Sequence, residues 1–98
     1  MAGFLFQIEM VDVTDKVAER IPAHREHINR LFSQGRLLSY SVSVSRNMIW
    51  CVVNAEEEAE AMEIVLQFPL YEFFTDVTCH PLLFHNVLPA TLPGISLN

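Results

Sequence analysis

Apolar and polar residues alternate from Phe4 to Val11, with Phe4, Phe6, Ile8 and Met10 on one side and Gln7 and Glu9 on the other. A period of two marks a strand with one face in a core. The period then changes. Thr14 offers a helix N-cap and Asp15 a first-turn acid, and Val17, Ile21, Ile28, Leu31 and Phe32 recur at helical spacing until Gly35 stops the run. Pro22 sits inside that helix. An interior proline costs about 3 kcal/mol and kinks the axis, which predicts a bend or a restart near Ile21.

Alternation returns over Leu38–Ser45, where Leu38, Tyr40, Val42 and Val44 face one way and Ser39, Ser41, Ser43 and Ser45 the other. Arg46-Asn47 turns the chain into the apolar run Met48–Val53, and the two strands read as a hairpin. Asn54 followed by Glu57 has the spacing of a capping box. It predicts a second helix with Ala59, Met62, Val65 and Leu66 as its apolar stripe, Glu56, Glu57, Glu58, Glu60 and Glu63 in solvent, and Pro69 closing it. A last strand is predicted from Phe73 to Cys79. The order β-α-β-β-α-β predicts an α+β, ferredoxin-like sandwich: a four-stranded antiparallel sheet carrying two helices.

Composition adds an expectation about assembly. The 98 residues make one domain, its core at 4–80. With 51% hydrophobic and 18% charged residues, the surface has few charges to cover it. Small monomers seldom expose large apolar patches, so the surplus predicts a homodimer or higher homo-oligomer. The tail 81–98 contains Pro89 and Pro93 and no Asp, Glu, Lys or Arg, which predicts that it packs on a neighbouring subunit. The net charge of −6, with no basic cluster, argues against a nucleic-acid partner. Gln7 and Glu9 break the first apolar run, so neither a secretory signal nor a membrane segment is expected, and the expected location is cytoplasmic. Cys51 and Cys79 then read as reduced thiols.

His24 is the polar residue that most needs an account. At about 100° per residue it falls in the middle of the apolar stripe, with Glu26 on the opposite side and His27 near the edge. A histidine held there is either a base kept neutral by desolvation or a core histidine bonded to a backbone carbonyl or to Tyr40. His24-x-x-His27 has no accompanying Cys-His cluster, so no metal is expected. The five glutamates read as a solvated face and the serine row as a wetted sheet face. Gly3, Gly35 and Gly94 build no phosphate loop, no Gly-x-Ser-x-Gly elbow exists, and no cofactor is expected.

Three stretches together resemble the muconolactone isomerase family. They are Phe4–Met10; Ile28-Asn29-Arg30-Leu31-Phe32-Ser33-Gln34-Gly35; and Leu66-Gln67-Phe68-Pro69-Leu70-Tyr71, continued by Asp76-Val77-Thr78 and Pro81-Leu82-Leu83-Phe84-His85. The resemblance implies a dimeric α/β-barrel type of assembly with exchanged C-terminal segments. It also implies a cofactor-free isomerase of aromatic-compound catabolism, which shifts a proton on a small unsaturated lactone. That chemistry needs a base beside a carbonyl and a donor for the enolate oxygen. Counting back from Gly35, the family's helical carboxylate falls at His24, with Glu26 two residues on. The resemblance thus implies His24 as base, Glu26 as the nearby carboxylate, Tyr40 as oxyanion donor, and Arg46, His85 and Trp50 as substrate contacts. The residues departing from the family's second strand leave two alternatives, a non-catalytic small-molecule binding or assembly module and a cofactor-independent monooxygenase.

Overall fold

The computed structural model describes residues 2–86. Strand β1 (Ala2–Met10) leads through helix α1 (Asp15–Ser33) to a hairpin of β2 (Leu37–Val42) and β3 (Met48–Ala55). Helix α2 (Glu58–Leu66), a single 3-10 turn (Tyr71–Phe73) and β4 (Phe74–Pro81) follow. The sheet order is β2-β3-β1-β4 with every described pairing antiparallel. This is the predicted ferredoxin-like α+β arrangement.

The core lies between one sheet face and the helices. Phe4, Phe6, Ile8 and Met10 of β1 are buried, as their alternation predicts, against Ile49, Cys51, Val53 and Ala55 of β3. Thr14 caps α1 by accepting from the Val17 amide at 3.5 Å. At the other end Gly35 takes φ 71°, and the Gly35 and Arg36 amides bond back to Phe32 and Leu31. A positive φ is cheap for glycine, and the two bonds satisfy the last carbonyls.

Four expectations are corrected. Helix α1 runs through Pro22 as one element, so there is no restart near Ile21. Pro22 and Ala18 are both exposed, so water can reach the carbonyl that the proline leaves unpaired. The helical phase is kept, and Val17, His24, Ile28 and Leu31 form the buried stripe, while Phe32 is exposed.

Strand β2 ends at Val42, short of the predicted Ser45, and a bulge between Leu37 and Ser39 shifts its register. Leu37 and Tyr40 both face the helices, opposite Val53 and Cys51, and Leu38 is pushed out. The turn begins at Ser43: its hydroxyl accepts from the Met48 amide at 3.1 Å, and Ser45 donates to Asn47 Oδ1 at 2.6 Å.

Asn54 caps no helix. It lies in β3 and donates from Nδ2 to the Gly35 carbonyl at 3.1 Å, while Glu57 is the N-cap of α2. The buried stripe of α2 is Ala61, Ile64 and Val65, with Ala59 and Leu66 exposed. Strand β4 also begins one residue later and runs two residues further than predicted, and the Leu82 amide extends it by donating to the Gly3 carbonyl at 2.9 Å. The predicted packing of the tail falls largely on residues 87–98, outside the described residues.

Candidate active-site cleft

Beyond the bulge, β2 and its turn run out past the cover of α1. A half-enclosed cleft of about 1130 Å³ opens between them, floored by Met10, Ile49 and Leu70. Val13, Ile21, Phe32 and Val42 give it apolar walls. The polar groups lining it are His24, Tyr40, Arg25, Asn29, Arg46 and the serines of β2 and its turn. No carboxylate lines it among the described residues.

His24 is 3% exposed. Its Nε2 lies 2.7 Å from the Tyr40 hydroxyl, and its Nδ1 is buried without a hydrogen-bond partner among the described residues. The Phe68 ring meets the imidazole edge-on, with centroids 5.6 Å apart, and His27 makes a second edge contact with the same phenyl ring at 6.3 Å. Removal from water, with a smaller contribution from His27, lowers the His24 pKa to about 4. Burial raises that of Tyr40, with a further contribution from Cys51. Near neutral pH the pair is therefore a neutral imidazole against a neutral phenol.

The other candidate residues are dispersed. Glu26 projects away from the cleft and pairs with Arg30 at 3.6 Å, one turn along α1. Trp50 lies on the sheet face turned away from the helices, since its neighbours Ile49 and Cys51 point into the core. His85 is exposed beside Gly3, at the far end of β1 from Met10, roughly 23 Å along the strand. Arg46 does line the cleft, from a turn position with φ 66°. Ion pairs join Arg20 to Glu72 and Arg30 to Glu26, whereas Arg25 and Arg46 have no carboxylate at salt-bridge distance among the described residues.

Arg25, Asn29 and Phe32 also line the cleft but carried no sequence signal of chemistry. A signal of position was present: with Ile21 they fall about 60–140° around the helix from His24, all on one flank of the buried stripe. That flank faces the cleft.

No family model matches this sequence, and no curated protein matches it. Among solved structures the chain is similar to 5-chloro-2-hydroxyhydroquinone dehydrochlorinase from Burkholderia phenoliruptrix AC1100, in complex with 2,5-dihydroxybenzoquinone. The TM-score is 0.55 at 16% identity, covering 78% of this chain and 90% of that one. What the two share is the fold. It is the βαββαβ arrangement, a four-stranded antiparallel sheet with two helices. Among the described residues, no helix is long and apolar enough to cross a membrane.

Proposed function

We propose that the cleft binds a small cyclic compound bearing a carbonyl and shifts a proton on it without a cofactor, as in the isomerisation of an unsaturated lactone. The supporting observation is the 2.7 Å contact between His24 and Tyr40 at the wall of an apolar cleft. His24 is the base. It is neutral near pH 7, and it is the only side chain lining the cleft that can accept a proton there, no carboxylate being present among the described residues. A base is most effective with a pKa near the working pH, so a base as weak as His24 takes a carbon-bound proton only where the carbonyl is polarised in the same step. Tyr40, protonated at neutral pH, donates to the enolate oxygen. Arg46, with Arg25, holds an anionic substituent at the mouth.

The test is deuterium incorporation from heavy water into a panel of unsaturated five-membered lactones. The wild type exchanges an α or γ hydrogen, and His24→Gln loses roughly 100- to 10,000-fold of that rate. A wild type that exchanges no lactone above the buffer rate ends the reading. A second reading, a binding module without turnover, is favoured by the withdrawal of both His24 nitrogens from solvent. It expects calorimetric lactone binding with no exchange. The chain works as a homo-oligomer in either case, a reading supported by the exposed apolar residues of the outer sheet face, Trp50 and Leu38 among them.

A further inference from the structure

We propose that the Tyr40 hydroxyl caps the lone pair of His24 at rest, and that a ligand oxygen accepting the phenolic proton uncaps it. The inference rests on the proton-transfer reading above and adds a condition on which ligands are turned over.

The direction of the His24–Tyr40 bond carries the argument. Either Nε2–H donates to the phenol oxygen, or the phenol donates to an unprotonated Nε2. Both tautomers leave Nδ1 without a partner, as an orphaned donor in one and an orphaned acceptor in the other. Either orphan carries a comparable desolvation penalty, so Nδ1 does not decide between them. Acid and base strength do. A phenol is a far stronger acid than the N–H of a neutral imidazole, and an imidazole lone pair is a far stronger base than a phenol oxygen. The 2.7 Å separation suits the O–H···N bond that this favours. Tyr40 therefore donates, Nε2 holds a lone pair, and the imidazole proton is on Nδ1.

A phenol has one proton to give. While it goes to Nε2, His24 can take nothing from the cleft, and its other nitrogen is sealed in protein. A carbonyl oxygen entering beside Tyr40 competes for that proton. Where it succeeds, it polarises its own α C–H bond and frees the base in the same event. The C–H bond then breaks, its electron pair moves to the oxygen as the enolate, and an N–H bond forms at Nε2. Tyr40 keeps its proton and donates to the enolate. The Nε2 proton next forms a C–H bond at the γ carbon, the carbonyl is restored, and Tyr40 returns to Nε2. Nothing is oxidised or reduced. The ligand class follows: cyclic carbonyls with an acidic hydrogen on the carbon next to the carbonyl. A ring of the same size lacking the acceptor oxygen binds the apolar walls and leaves His24 capped.

The test is nitrogen-15 long-range correlation spectroscopy of the intact chain at neutral pH, which shows which ring nitrogen bears the proton. The expected result is a His24 protonated at Nδ1, with Nε2 in the range of a hydrogen-bonded acceptor. In Tyr40→Phe the Nε2 resonance moves to that of a free acceptor, while the amide spectrum stays folded and lactone exchange falls roughly 100-fold. A wild-type His24 protonated at Nε2 overturns the cap, and so does an Nε2 resonance that Tyr40→Phe leaves unmoved. The wild-type spectrum decides alone if that variant does not fold. A chain that exchanges lactone hydrogens with His24 protonated at Nε2 keeps its function and loses the cap. The expected tautomer without exchange on any lactone refutes proton transfer instead.

Discussion

A histidine buried among apolar side chains is stable only in its neutral form, and His24 makes that visible as a pH dependence. The unfolded chain protonates it near pH 6.5, whereas the folded chain resists until about pH 4. Between those values the unfolded state binds more protons, so the contribution of His24 to stability is full above pH 6.5 and is lost as pH falls toward 4. The gap corresponds to roughly 3 kcal/mol. Urea unfolding should therefore show the wild type losing about that much more stability between neutral pH and pH 4 than His24→Gln, which has no proton to gain. Parallel losses in the two proteins would mean that this imidazole is already wet. The position of His24 was legible because seven positions separate it from Val17 and four from Ile28, a helical spacing that keeps all three on one stripe. Its partner was legible only as one of two options, since residue spacing does not say whether a hydroxyl or a carbonyl meets a ring nitrogen.

Among the elements, those with simple periods read true and those with one irregular residue did not. Strand β1 alternates cleanly and is buried as its alternation predicts. Strand β2 alternates just as cleanly in sequence, yet the bulge at Leu38 puts Leu37 and Tyr40 on the same face. A single extra residue carries no compositional mark, so the eye follows the wrong parity. The same holds for Asn54. It has the residue type of a cap, but the sheet uses it to satisfy the Gly35 carbonyl, and the N-cap falls three residues later at Glu57.

Helix α1 is the reverse case, where a strong breaker was absorbed. Because Pro22 lies in an unbroken helix with solvent on its side, Pro22→Ala restores a hydrogen bond at no packing cost. It should raise the unfolding free energy by about 1–3 kcal/mol, read as a higher urea midpoint at unchanged slope. Gly35→Ala should do the opposite. Nothing lies within 4 Å of the added methyl, so the whole cost is the left-handed backbone, about 1–2 kcal/mol. A neutral Gly35→Ala would show that the helix end relaxes to another cap.

On the scale of the whole molecule, the two sheet faces have unequal work. The inner face is sealed by helices and holds the core, with the cleft where the cover ends. The outer face carries Leu5, Trp50 and Val52 between Gln7, Ser39, Ser41 and Thr78, since these alternate with the core residues along each strand. Val52 is only 2% exposed, shielded near Gly3 by Leu82, while Trp50 remains 37% exposed. An exposed tryptophan next to Val52 on its strand, flanked by Gln7 and Ser41 on the neighbouring strands, is suited to an interface, where large aromatics supply much of the binding energy. Such a face, in a chain of 11.2 kDa with few charges, predicts a sedimentation mass that is a multiple of that value. Trp50→Glu should bring the mass down to one chain, because a carboxylate in the centre of an apolar contact is desolvated without a partner. The helix-side core and the cleft lie on the other side of the sheet, so the circular dichroism and the His24 tautomer of the variant should match those of the wild type. A wild type that sediments as a single chain, or a Trp50→Glu mass equal to that of the wild type, would place the assembly elsewhere or nowhere.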